Sequence, residues 1–179
     1  MAGKSGTGKM TGARILTIGH SNHGLAQFLA LLKGAQVLAI ADVRSRPVSR
    51  WVPHFNREPL QVALAEHGIS YRFLGRELGG RPDDPALMRG GKPDYAAMAR
   101  TTAFGDGLAR VIEVGANERV ALLCAERDPI DCHRFLLIGR ELAVRGVAVT
   151  HILASGEVEP QAETEARMGD GPLPDLFRQ

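Results

Sequence analysis

Five short apolar runs punctuate the chain, and most are followed by a segment whose apolar residues recur at helical spacing. The runs at 15–18, 37–41, 69–74, 119–124 and 147–153 have the length and β-branched content of strands. Residues 24–33 place Leu25, Phe28, Leu29 and Leu32 on one stripe, the i, i+3, i+4, i+7 pattern of an amphipathic helix. Gly34 stands where such a helix takes its C-terminal cap. Helices are also predicted over 58–67, with Leu60, Ala63 and Leu64 inward, and over 94–101 and 103–117, the last with Leu108, Val111 and Ile112 on one side. A final helix over 132–145 buries Phe135, Leu136, Ile138 and Leu142. The run at 37–41 is apolar throughout, as a strand covered on both faces is. That at 69–74 alternates, which places it nearer a sheet edge.

Strands alternating with helices predict an α/β domain over 15–153. Its sheet is expected to be doubly wound, five-stranded and mostly parallel, Rossmann-like, with helices on both faces. Taking the strands in chain order, 3-2-1-4-5 is the simplest arrangement that right-handed crossovers allow. Residues 75–93 form a long Gly-, Pro- and Arg-rich connection, a length that usually carries function or disorder. Residues 1–14 read as a disordered tail. Gly3 to Met10 has part of the spacing of a phosphate-binding loop, but no strand precedes it, and Met10 stands where a Ser or Thr would hold magnesium. Residues 154–179 read as a polar extension with a turn of helix over 163–168; Leu173, Leu176 and Phe177 are expected to pack back on the domain.

Composition narrows the class. A chain of 179 residues, 44% hydrophobic and 23% charged, suits one soluble domain. No apolar run approaches the roughly 20 residues of a membrane span, and no apolar segment follows the N-terminal residues as in an export signal. Two cysteines without such a signal point to free thiols in a reducing cytoplasm. A net charge of +2 implies no nucleic-acid partner by itself. Its distribution says more: Arg44, Arg46, Arg50 and Arg57 alternate with Trp51, His54 and Phe55, with no acid among them. That stretch suits phosphates and stacked bases, or else it is a solvated loop paired with acids elsewhere.

The chemistry concentrates at strand ends. In open α/β sheets ligands bind beyond the carboxyl ends of the strands, where the winding reverses. His20, Ser21 and Asn22 follow the first strand, Asp42, Arg44, Ser45 and Ser49 the second, and Cys124 and Glu126 the fourth; Cys132, His133 and Arg134 open the next helix. Cys124, Cys132, Glu126, His133 and His20 are the candidate catalytic groups. A thiol becomes reactive beside a cation or at a helix start, which favours Cys132 over Cys124. Glu126 or His20 supplies an acid or base. Ser21, Asn22, Ser45, Ser49, Arg44 and Arg134 are candidate contacts to a small anionic or nucleotide-like ligand, and Asp42 orients Arg44. A phosphatase-type loop is disfavoured, because residues 125–131 carry three carboxylates that repel phosphate. Zinc is a weaker alternative: the cysteines are too far apart for the usual spacing, and adjacent Cys132 and His133 are expected to point apart. The cofactor is left open.

Four of these segments together resemble the domain of unknown function 488 family. They are Gly19-His20-Ser21-Asn22; Asp42-Val43-Arg44-Ser45 with Pro47 and Ser49; the stretch 75–80; and Cys124-Ala125-Glu126 through Cys132-His133-Arg134. The resemblance implies a compact α/β protein with the cysteine-glutamate and cysteine-histidine-arginine segments as its site. It assigns no reaction.

Overall fold

The computed structural model describes residues 13–169. The Gly3-to-Met10 segment and Leu173, Leu176 and Phe177 lie outside them.

The first strand, β1 (Arg14–Gly19), leads into α1 (Leu25–Gly34) and β2 (Ala39–Asp42). Then come α2 (Arg57–Glu66) and β3 (Ser70–Phe73). The 75–93 connection is not structureless. It contains the short helix α3 (Gly75–Leu78) and a hairpin of β4 (Met88–Arg89) and β5 (Lys92–Pro93). Gly90 and Gly91 turn that hairpin at φ of 56° and 77°, a region costly for residues with a side chain. Two helices follow, α4 (Tyr95–Ala99) and α5 (Thr102–Asn117), the second capped by Thr101 Oγ1 accepting from the Phe104 N–H. Strand β6 (Val120–Cys124) ends at the thiol. After it, a π-helical stretch, Arg134–Gly139, runs into α6 (Arg140–Val144), then β7 (Ala148–Ile152), β8 (Val158–Pro160) and α7 (Gln161–Met168).

The α/β class with a mostly parallel sheet holds, with six strands rather than five. The order is β3-β2-β6-β1-β7-β8. The sixth strand, β8, lies antiparallel to β7. It was not legible because Val158–Pro160 is short and polar. The expected order 3-2-1-4-5 is corrected as well: the Val120–Cys124 strand lies between β2 and β1 rather than beyond β1. Both β2 and β6 are buried along their whole length, so hydrophobicity suits either to a central place and does not choose between them. As expected, β3 is an outer strand with exposed alternate residues.

Alternation along the strands builds a core on each face. Ala39, Ala41, Val120 and Leu122 pack with Phe104, Leu108 and Val111 of α5 and with Leu142 of α6. Ile40, Ala121 and Leu123 pack instead with Phe28 and Leu32 of α1, Leu60 and Leu64 of α2, and Phe55. Among the described residues no helix is long and apolar enough to cross a membrane.

One buried polar chain ties the last elements to the sheet. Thr17 Oγ1 lies 2.7 Å from His151 Nδ1, and His151 Nε2 lies 2.9 Å from Gln161 Oε1. Because the glutamine oxygen only accepts, Nε2 carries the proton and Nδ1 accepts from the threonine. Burial, then the nearby Arg134 charge, lowers the His151 pKa to about 4.

Candidate functional site

Strand pairing brings the site together. In the parallel register of β1 and β6, Gly19 stands opposite Cys124. Beyond the strands the pairing continues, with the His20 N–H donating to Cys124 O and the Ser21 N–H to Ala125 O, both at 2.9 Å. The turn after β1 and the thiol-bearing bend are therefore neighbours. Gly19 is required there: a Cβ on it would collide with the Glu126 carbonyl and with the Arg134 guanidinium.

These strand ends floor a cleft of about 680 Å³. Its lining includes His20, Arg44, Ser45, Ser49, Cys124, Glu126 and His133 of the expected residues. Cys132, Asp42 and Arg134 are buried beneath it, while Ser21 and Asn22 do not line it. Arg81 at the rim and Tyr95 in the wall were not among the expected residues, and Arg46 at the rim was expected only as part of the basic 44–57 stretch. The long polar connection before α4 was the available signal for Arg81 and Tyr95.

At the floor four side chains converge. Cys124 Sγ lies 2.8 Å from Glu126 Oε2, and Cys132 Sγ lies 3.1 Å from the same oxygen. His133 Nδ1 is 3.5 Å from Cys124 Sγ and 3.8 Å from Cys132 Sγ. His133 Nε2 lies 3.1 Å from the Val43 carbonyl, which only accepts, so Nε2 carries a proton and Nδ1 faces the sulfurs. The two neighbours Cys132 and His133 thus point the same way, contrary to expectation. The backbone explains it: Cys132 is extended at φ −127° and ψ 141°, whereas His133 is helical at φ −59° and ψ −20°, and the change swings one side chain round to meet the other. Gly80 leaves room for the imidazole, since a Cβ there would meet the ring at 2.6 Å.

The order of the thiols is the reverse of that suggested by the helix start. Burial pushes Cys124 up, but the bond from Cys132 and the His133 charge outweigh it and bring the thiol down to about 6. Burial and the adjacent Cys124 push Cys132 well above the usual thiol range. His133 is raised: burial opposes its charge, but the neighbouring Cys124 thiolate prevails. A sulfur–oxygen contact of 2.8 Å needs a proton or a cation within it. Once Cys124 loses its proton, that contact must open or a cation must replace the proton.

The surrounding groups are mainly scaffolding. Asp42 orients Arg44 as its spacing suggests: both Nε and Nη2 of Arg44 donate to its carboxylate, at 2.9 and 2.6 Å, and Tyr71 donates to it as well. Arg44 Nη1 donates to the Phe55 carbonyl. Arg134, wholly buried, donates to the carbonyls of Glu126 and Arg127 and so fixes the thiol loop. His20 stacks on Phe55 at 4.5 Å, and burial holds it neutral, with a pKa of about 4. Ser45 Oγ accepts from the Arg81 N–H, and Ser49 Oγ caps the turn at Trp51 and Val52. His54 bonds the His23 carbonyl, a structural role for both histidines. Of the arginines in the 44–57 stretch, Arg44 is engaged with Asp42, Arg57 lies over Phe73, Arg50 over Trp51, and Arg46 pairs with Asp83.

A family model described as Domain of unknown function DUF488 matches residues 24–140. The chain belongs to this family. The match spans β2, β6 and both cysteines, so the floor of the cleft is part of the DUF488 segment; His20 lies before it. No curated protein and no solved structure matches the chain.

Proposed function

We propose that the cleft is the active site of an enzyme acting on a small anionic molecule, with Cys124, Glu126 and His133 as the groups facing the reacting atoms. One observation carries this reading: a cluster of two thiols, a carboxylate and an imidazole lies at the floor of a cleft whose rim bears Arg46 and Arg81. Such a cluster is an expensive thing to bury for packing alone, since each polar group must be matched to a partner. The side chain of Arg46 is 83% exposed, so its pair with Asp83 is a weak competitor for an incoming anion. The Arg81 N–H is anchored by Ser45, which holds that residue against the rim. Glu126, partly accessible in the cleft, is placed to take or give a proton. Neutral His20 presents an uncharged wall beside it. A small ligand is favoured over nucleic acid because Arg44 and Arg57 of the basic stretch are already engaged within the protein.

The test uses two alkylating agents of similar size on chelator-treated protein. Iodoacetate is an anion and iodoacetamide is neutral. The expected result is that Cys124 favours iodoacetate over iodoacetamide more than free cysteine does, and that the preference fades with salt and in the Arg46→Ala/Arg81→Ala variant. A ratio equal to that of free cysteine at low salt would remove the anionic substrate from the account.

A further inference from the structure

We propose that Cys124, Cys132 and His133 bind one divalent cation of the zinc type, leaving a fourth coordination position open to the cleft, with Glu126 as proton acceptor for water held there. The catalytic use of the ion rests on reading the cleft as an active site; its binding does not.

The argument is geometric. The three donor atoms lie within 4.8 Å of one another. In tetrahedral zinc sites sulfur and nitrogen ligands sit at about 2.3 and 2.0 Å from the metal, which places them about 3.5 Å apart. The observed sulfur–nitrogen separations are 3.5 and 3.8 Å. The imidazole is also oriented as a ligand is. Its Nε2 proton is fixed on the Val43 carbonyl, which leaves Nδ1 turned toward both sulfurs, an outer bond typical of metal-bound histidine. Without an ion, the two thiols crowd one oxygen of Glu126 and share a single ring nitrogen, His133 Nδ1, between them. Three lone-pair donors facing one another fit a cation better than they fit their own protons.

Charge and access complete the case. Two thiolates balance a divalent ion, and buried Arg134, which has no acidic partner among the hydrogen bonds it makes, adds a positive charge beside Cys132. Cys124 and His133 border the cleft, so the ion has an approach from solvent on that side. A site with three protein ligands and one open position is the arrangement of catalytic rather than structural zinc. The chemistry it supplies is hydrolysis. Water bound at the open position gives a proton to Glu126, the resulting hydroxide forms the new bond to the electrophilic centre, and the leaving group departs with the proton returned by Glu126.

The experiment is a cobalt(II) titration of the chelator-treated full chain, followed by its visible and near-ultraviolet absorption. One cobalt per chain is expected, with thiolate-to-cobalt charge-transfer bands and intense tetrahedral bands. Azide should shift the visible bands by entering the open position. Cys124→Ser and Cys132→Ser should lose most of the charge-transfer intensity and bind at least tenfold more weakly, whereas Glu126→Gln should still take one ion. A wild-type chain that takes up no cobalt overturns the proposal, as do bands that survive both cysteine substitutions. Bands indifferent to azide, or loss of the ion from Glu126→Gln, would overturn the open position. Should the serine variants fail to fold, zinc protection of both wild-type thiols from alkylation replaces them, and undiminished alkylation with zinc present counts against the site. The alkylation ratio on chelated protein involves no ion, so failure of the metal proposal and failure of the anionic cleft give different results.

Discussion

At the residue scale, two arginines two positions apart separate a buried charge from an exposed one. Arg44 is 7% exposed and holds Asp42, which is fully buried. Removing it leaves a carboxylate in the interior with only the Tyr71 hydroxyl and the Arg44 backbone N–H for partners. Arg44→Ala is therefore predicted to destabilise the protein by about 3–5 kcal/mol, read from the shift in urea midpoint. Arg46→Ala breaks a pair exposed on both sides and is predicted to cost less than about 1 kcal/mol. Equal costs would contradict the roles assigned to them. Gly80 gives a second contrast. Its missing Cβ is what lets the imidazole of His133 stand against the thiols, so Gly80→Ala must displace that ring or its own loop. The expected outcome is a folded protein with at least tenfold slower or faster Cys124 alkylation; an unchanged rate would show that the ring position does not matter to the thiol.

At the element scale, β8 and α7 close the sheet edge over His151. This histidine is neutral in the fold, with its pKa lowered from 6.5 to about 4, whereas in the unfolded chain it titrates near 6.5. Between those values the unfolded chain binds more protons, so stability is present above pH 6.5 and falls as pH drops toward 4. The full effect of this one group is about 3 kcal/mol. His151→Gln, which keeps a polar partner for Thr17 or Gln161, should flatten that part of the stability–pH curve in urea unfolding. A curve of unchanged slope would place the acid sensitivity elsewhere. The same elements show what sequence pattern could not supply. Helix α7 lies within the polar extension, and its hold on the sheet comes through polar bonds, Gln161 to His151 and Thr164 and Arg167 to Glu159, rather than through an apolar stripe. The glycine at position 139 that admits Gln161, like the π-helical stretch containing it, leaves no periodic signal.

At the scale of the whole molecule, the alternation of apolar runs with amphipathic segments was sufficient for the α/β class, and the strand ends were sufficient for which loops border one cleft. His20 and Cys124 meet because β1 and β6 pair, which was the one adjacency the functional reading needed. The place of β6 between β2 and β1 was not legible, since fully buried strands carry no mark of which neighbour they take. It has a consequence for the site: Val43, at the end of β2, lies next to β6 and so offers its carbonyl to His133. The rim was missed for a different reason. Arg81 and Tyr95 come from the long connection and the helix after it, whose path over the cleft depends on Gly79 and Gly80 packing on Ser45 and His133. Close approaches of this kind are set by tertiary contact and not by local pattern.

The claim common to all three scales is that one thiol faces the cleft while the other stands behind it in the same cluster. Brief alkylation of the chelator-treated protein at neutral pH, followed by peptide mapping, measures this directly. Cys124 should be labelled well before Cys132, at least tenfold faster. Labelling of Cys132 first, or of both at one rate, would contradict the account.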